Sequence, residues 1–475
     1  MSQKIKSEQK PAFIVSGASG LGNPSQKWSV MVPATLVLAA LFIDVALGRW
    51  GAYIATPIPG IYLPDALLVI GALSALPNVR LLRAMPRQVM IVFAIPLLYI
   101  LARIIQVLVT GAHDEPYLIV RDLAPYAYLT IVPLLVLALR QVKFSWLLWL
   151  LRIATLLHLL GVTALNWGLL RAFQSDLLGG VDVDVLSYRG DLQGVIFGIG
   201  LIVWGRWLGS ARGVRVVQFL FLVGGIQLGS RAAFVTFLFC VVVVLIRERK
   251  WFAPWKFLLL AALAISVSLT ATYAAQQLYA AQQLSASTLS SLTSPAQLLP
   301  SAAPGAAKLV GYEAAGAGTS GARLATYDLI IKHLRNPGFL AVGSGPGTDV
   351  FYTICTGVPE APARTKIVEN GKTVYLPKCP VDDADAATTL RDPHNWLFNW
   401  LIYNGVVGTL ILLLALMLPI WIYRRSRDSI LPISMIAAYF LCGSFGVIIS
   451  ASFGMLPVTV MLASLIALSG KFARA

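Results

Sequence analysis

The feature that most constrains this chain is the recurrence of apolar runs. There are about twelve, each near the ~20 residues that an α-helix needs to cross the hydrocarbon of a bilayer. They fall near 29–48, 61–76, 89–111, 119–139, 145–168, 192–208, 214–229, 231–246, 256–273, 396–420, 430–449 and 453–470. In hydrocarbon every backbone polar group must be satisfied within the protein, so runs of this kind specify helices. Hydrophobic residues make up 57% of the 475 positions and charged residues 12%, which excludes an ordinary soluble domain. The expected fold is an all-α polytopic membrane protein with about twelve transmembrane helices and one large outer loop between the ninth and tenth.

Charge orients these runs. A formal net charge of +16 would suit a nucleic-acid binder if the basic residues formed one patch. They gather instead in alternate loops, as Arg80, Arg83 and Arg87, then Arg140 and Lys143, then Arg206, Arg212 and Arg215. Arg247, Arg249, Lys250 and Lys256 follow, and later Arg424, Arg425 and Arg427. The short loops between these groups hold acids such as Asp114, Glu115, Asp176, Asp182 and Asp184. The positive-inside rule then puts both termini in the cytoplasm. The expected organisation is a cytoplasmic tail over 1–28, helices one to nine over 29–273, and a periplasmic loop region over 274–395. Helices ten to twelve and a short cytoplasmic tail take up 396–475. The first 28 residues lack the apolar core and small-residue cleavage site of a signal peptide, so insertion is expected to begin at the first membrane helix.

The outer insertion opens with a low-complexity segment in which YAAQQL at 273–278 recurs at 279–284. Further on, RLATYDLIIKHLRNPG reads as an amphipathic helix with Leu324, Tyr327, Ile330, Ile331 and Leu334 on one face. Pro337 and Gly338 end it, and GSGPG at 343–347 is a tight glycine turn. Cys240 and Cys442 lie in apolar runs as packing residues. Cys355 and Cys379 lie in the insertion, where an oxidising compartment lets them close a disulfide across its second half.

Chemistry-bearing residues gather at the outer side. Arg391 to Gly408 reads RDPHNWLFNWLIYNGVVG, with His394 and Asn395 at the mouth of a hydrophobic helix. Pro393 and Asn395 favour a helix start there, while Gly405 and Gly408 allow a close approach by another helix or a lipid chain. A largely neutral imidazole at a membrane boundary suits general-base work, although an interfacial histidine that only satisfies a hydrogen bond is equally simple. Arg231, in LGSRAAF, and Arg189, in SYRGDLQG, fall on the same side. Guanidinium groups grip phosphate oxygens bidentately, so two arginines and a histidine facing outward suggest a pyrophosphate site. Arg121, which starts the fourth run from outside, can join it.

Other polar residues read more plainly. Arg103 and Asp44 are ionisable groups inside apolar runs, favoured as structural pairs over members of an outer cavity. Arg152 is expected to snorkel inward and His158 to pack between helices. His333 sits on a charged, solvated face. Asp182 and Asp184 resemble an acidic metal dyad only weakly, and Asp382, Asp383 and Asp385 read as a solvated loop.

From Arg189 to Gly408 the chain resembles the superfamily of O-antigen ligases and polymerases, membrane transferases of the bacterial envelope. SYRGDLQG looks like its first outer arginine segment and GSRAAF like its arginine helix start. RLATYDLIIKHLRNPGFLAVGSGPG, with Arg323, Pro337, Gly343 and Gly347, is similar to its loop helix and glycine turn. PHNWLFNWLIYNGVVG, with His394, Asn395, Gly405 and Gly408 in step, resembles its histidine helix, with Phe398 where leucine is more usual. The resemblance implies a metal-independent, inverting glycosyltransferase of GT-C-like architecture that needs no cofactor. Its donor would be a glycan on undecaprenyl pyrophosphate, and its acceptor either lipid A–core (ligase) or another lipid-linked glycan (polymerase). His394 and Arg231 would be catalytic, with Arg189, Arg231, Arg323, Asn395 and Arg121 binding the pyrophosphate and glycan. It also implies an inner-membrane protein with a periplasm-facing site, membrane lipids as its surroundings and no nucleic-acid partner. A polysaccharide flippase or other transporter would share the helix count, but would more often show midplane polar residues and two related halves. No such symmetry is evident in the sequence, and the candidate site residues all lie at one face.

Overall fold

A computed structural model describes residues 24–52, 61–110, 116–166, 190–208, 213–226, 231–248, 333–347, 365–369, 372–376, 395–426, 428–445 and 452–469. Residues 54, 56, 228, 259, 262–264, 266, 327, 330–331 and 449 are also described. The helices of the first half are α1 (Pro24–Leu47), α2 (Leu63–Ser74), α3 (Arg87–Thr110), α4 (Pro116–Thr130), α5 (Val132–Leu139) and α6 (Phe144–Asn166). They continue as α7 (Gly190–Val203), α8 (Val214–Ile226) and α9 (Arg231–Glu248). After the short α10 (Pro337–Val342) come α11 (Trp396–Tyr423), α12 (Ile430–Gly443) and α13 (Ser452–Ala467).

Where they are described, the apolar runs fold mainly as helices. Three of these helices, Arg87–Val109, Phe144–Thr163 and Trp396–Tyr423, are long and apolar enough to cross a membrane. Two bent pairs raise that number to five if each pair is one span. One pair joins α2 to the 3₁₀ turn Leu76–Ala84 at 70°, and the other joins α4 to α5 at 46°. Pro133, in the first turn of α5, has no N–H to continue the α4 ladder, which accounts for the second bend. Six further apolar helical stretches among the described residues, from Met31–Leu47 to Gly454–Ala467, run 10–17 residues each.

The bundle is organised around α13, whose residues 454–467 are buried along their whole length. It packs on α1, α4, α5, α11 and α12, while α7 lies along α9 and α1 along α2 and α6. The opposite extreme is α3, whose Leu98, Ile105, Leu108 and Val109 are 60–81% exposed and form a lipid-facing stripe. Arg140 donates to the side chain of Asn78 at 3.3 Å, which brings the turns after α2 and α5 to one end of the bundle.

One element departs from the all-α expectation. Thr365–Glu369 (β1) and Lys372–Leu376 (β2) form an antiparallel hairpin with Glu369 opposite Lys372. The register leaves Asn370 and Gly371 between the strands, the dipeptide preferred in two-residue hairpin connections. The flanking Ile367, Val368, Thr373, Val374 and Tyr375 are good strand formers.

Among the intramembrane polar residues, Arg152 does not snorkel. It is 4% exposed, donates from Nε to the Val203 carbonyl at 2.8 Å, and lies over the rings of Trp149 and Trp204. The carbonyl at the end of α7 and two indole faces hold it in place, while Nη2 has no hydrogen-bond partner among the described residues. His158 is buried as a packing residue, with Nδ1 3.2 Å from the Ala46 carbonyl. Asp44 is 2% exposed, and one of its carboxylate oxygens has no hydrogen-bond partner among the described residues.

Candidate active site

The histidine helix is two helices end to end. Asn395 caps the first, its side-chain oxygen accepting from the backbone N–H of Leu397 at 2.9 Å and Phe398 at 3.3 Å. The same side chain donates to the Ser444 carbonyl at 2.9 Å, and Trp396 Nε1 donates to Ser444 Oγ at 3.1 Å. The mouth of α11 is therefore fastened to the end of α12. Nine residues later Gly405, at φ 61° and ψ −169°, breaks the helix. At 1.5 Å per residue the break lies about 14 Å along the helix from Trp396, well inside an apolar segment.

A break at that depth exposes carbonyls that a continuous helix would satisfy, and hydrocarbon offers them nothing. The structure satisfies all three. Ile402 O accepts from Ser344 N–H at 2.7 Å, and Tyr403 O accepts from Gly345 N–H at 3.2 Å. Tyr403 O also accepts from Arg103 Nη2 at 2.7 Å, and Asn404 O accepts from the Tyr99 hydroxyl at 3.2 Å. The glycine turn at 343–347 is thus the hydrogen-bonding partner of the broken helix.

Two glycines make this docking possible. A Cβ at Gly343 would stand 2.5 Å from the backbone nitrogens of Asn404 and Gly405, and one at Gly405 would meet the Gly343 nitrogen at 2.5 Å. Both have positive φ, 72° and 61°, a conformation that L side chains resist. Gly408 serves differently, since the hydroxyls of Tyr99 and Tyr126 each lie 2.5 Å from where its Cβ would be. The close approach expected at Gly405 and Gly408 is therefore made by the insertion's own backbone and by two tyrosines.

The loop helix packs over the first turns of α11. Tyr327 stacks on Phe398 with ring centroids 4.5 Å apart, and Ile330 and Leu334 are buried with Ile402 and Tyr403. Ile331, expected on the same face, is 46% exposed. The buried stripe is narrower than predicted, using the i, i+3 and i+7 positions from Tyr327 and leaving Ile331 outside it. His333 is not on a solvated face either. It is half-buried, stacked on Phe339 at 4.4 Å, with Nε2 2.9 Å from Ser344 Oγ, and burial holds its pKa below the usual histidine value.

Of the arginines expected in the site, Arg121 has its contacts defined. Its guanidinium pairs with Asp122 at 3.1 Å and lies over the Tyr403 ring at 5.9 Å. Asp122 in turn accepts from the Gly347 N–H at 2.9 Å, so this pair holds the far end of the glycine turn. Arg231 is the first residue of α9. His394, Arg189, Arg323, Cys355 and Cys379 lie outside the described residues. Asn395 and Arg121 are thus brought to the two ends of one short helical segment.

Arg103 is paired across helices, as expected of a charge inside an apolar run, though its partner is a carbonyl. It is 4% exposed, and it meets no carboxylate among the described residues. Nη1 donates to Gln106 at 2.6 Å and Nη2 to the Tyr403 carbonyl, with the Tyr99 ring 5.6 Å from the guanidinium. A charge inside an apolar run was the available signal; its partner, 300 positions away, was not.

Comparison with known families places this construction. Residues 216–413 match the O-antigen ligase family, and the match takes in α9, the glycine turn and the break of α11. Over this stretch the chain is similar to the O-antigen ligase family, in agreement with the resemblance seen in its motifs. A comparison with curated proteins returns no match.

Proposed function

We propose that this protein is a membrane-embedded glycosyltransferase that moves a glycan from undecaprenyl pyrophosphate onto a hydroxyl of lipid A–core. The observation that carries the reading is the seating of the GSGPG turn in the Gly405 break, within the stretch that matches the O-antigen ligase family. It ties the outer insertion to the helix whose mouth holds position 394, giving a fixed frame at the outer side for a reaction between two large lipid-linked substrates.

In this reading Arg231 and Arg189, with Arg323 and Arg121 nearby, hold the pyrophosphate and offset the charge that grows on it as it leaves. His394 takes the proton of the acceptor hydroxyl as its oxygen attacks the anomeric carbon from the opposite face, giving inversion. The N-terminus of α11 contributes its own positive dipole end to that anionic region. The pyrophosphate leaving group supplies the driving force without metal or cofactor. The proposed setting is the bacterial inner membrane, with both termini cytoplasmic, about twelve crossings and the 274–395 region periplasmic, on the charge pattern of the loops. A Cys355–Cys379 disulfide belongs to the same proposal.

The test is an envelope glycan profile in a deletion strain complemented with wild type or His394→Ala at equal membrane levels. Loss of transfer, with full-length polymer left on its lipid carrier, is expected. Loss of chain elongation with single repeats still attached to acceptor would make the protein a polymerase of the same chemistry. An unchanged profile would overturn the transferase mechanism and favour a transporter.

A further inference from the structure

The break at Gly405 leaves the segment 396–404 as a short helix with its own two ends. Its N-terminus is capped by Asn395, and its C-terminal carbonyls converge on Arg103, Tyr99 and the glycine turn. A cation at a helix C-terminus meets the negative end of the helix dipole, and a guanidinium can do so while holding a second acceptor. Arg103 does both. Gln106, one turn along α3, fixes Nη1, and Nη2 is thereby aimed at the Tyr403 carbonyl.

We infer that Arg103 is a positioning residue for transfer: its hydrogen bond to the Tyr403 carbonyl holds segment 396–404, and with it position 394, in register with the glycine turn. The inference rests on the transferase reading of the site. Three facts make a merely space-filling arginine a poor account. Arg103 is 4% exposed, it lacks a carboxylate partner among the described residues, and its Nε has no hydrogen-bond partner there. A buried charge without a counter-ion is expensive, so the protein retains here a group whose bonds an alkyl side chain of the same length cannot make. Tyr403 carries the other half of the argument. Its carbonyl takes Arg103 and Gly345 while its ring faces Arg121, so one residue joins α3, α4 and the insertion.

A small displacement of a catalytic group far from its support is enough to lower turnover by about 10²-fold while leaving binding nearly intact. The experiment compares full-length wild type, Arg103→Lys, Arg103→Met and Gln106→Leu in nanodiscs, with lipid-linked donor and acceptor glycolipid. The expected result for Arg103→Met is a fall in kcat on the order of 10²-fold with KM for donor within about 3-fold. Arg103→Lys, which keeps a cationic donor, recovers most of kcat, and Gln106→Leu lowers it several-fold. Hydrogen exchange is read on the same samples. Arg103→Met should speed exchange in peptides spanning 343–347 and 402–409 and leave α13 protected. That reading needs no activity, so it tests the positioning even if wild type transfers nothing, the outcome that would sink the transferase reading instead. A rise in KM alone would make Arg103 a ligand of the donor and overturn the inference. So would unchanged kcat and exchange in Arg103→Met, or, should that variant not fold, in Arg103→Lys and Gln106→Leu together.

Discussion

Glycines let backbones meet in two regions of this molecule, to different ends. Along α7 and α9 they remove bulk. Gly194 and Gly198, four apart, face Ala233 and Cys240, and a Cβ at Gly198 would lie 2.5 Å from Cys240 Sγ. Both helices stay regular there, and what is gained is dispersion contact between apolar surfaces, the small-residue packing common in membrane helices. At Gly343 and Gly405 the glycines supply positive φ as well as space, and the gain is hydrogen bonds to carbonyls that the break exposes. The first pairing packs two apolar helices. The second places a polar loop in the bundle, and it is the second that lies in the histidine helix, about 14 Å from its mouth.

That distinction can be broken from either side. The largest effect is expected for Gly405→Ala. It puts a side chain at φ 61° and ψ −169° against the Gly343 nitrogen, a backbone region essentially confined to glycine that alone costs about 1–3 kcal/mol. The turn should lose its seat, so that limited proteolysis cuts near 343–347 and transfer falls by roughly 10²-fold while membrane insertion is unchanged. Equal protease resistance and activity in this variant would mean the docking has no role.

A smaller and different effect is expected for Gly198→Ala, which overpacks α7 against α9 by about 1–3 kcal/mol. Thermal stability in detergent should fall, while the kcat of the folded fraction stays within about 2-fold of wild type. Combining it with Cys240→Gly, which removes the opposing sulfur, should restore part of the melting temperature. If turnover fell with Gly198→Ala as steeply as with Gly405→Ala, the two kinds of glycine would not be separable.

The smallest effect concerns His333, under the turn. Burial lowers its pKa, so the folded state resists protonation while the unfolded state binds a proton below about 6.5. Its stabilising contribution is present above that value and is lost as pH falls through it towards the folded pKa. Melting temperatures at pH 7.5 and 5.5 should therefore drop more in wild type than in His333→Gln, and an equal drop would remove His333 from the account.

Much of this was legible in the chain. Apolar runs marked the described helices to within a few residues, because hydrocarbon leaves a helix as the local solution. The loop helix and the GSGPG turn were visible from periodicity and composition, and His394, Asn395, Gly405 and Gly408 stood out by their spacing. The β1–β2 hairpin was overlooked although Asn370-Gly371 between β-branched residues signals one. The exposure of Ile331 departs from the sequence reading because the loop helix meets α11 by a narrower stripe than its sequence offers, and the burial of His333 because Phe339 and Ser344 fold back over it.

What the sequence by itself determined was therefore the local inventory: which stretches are helical, where they start, and where glycine permits a bend. What only the tertiary structure decided was the pairing of these parts. Nothing in the spacing of Gly343 and Gly405 says that one seats the other, and nothing near Arg103 names Tyr403. The physical reason is that helical hydrogen bonds close within four residues and leave a periodic trace. The carbonyls freed at a break must find donors wherever the folded chain brings them, here from α3 and from a turn some 60 residues before the break.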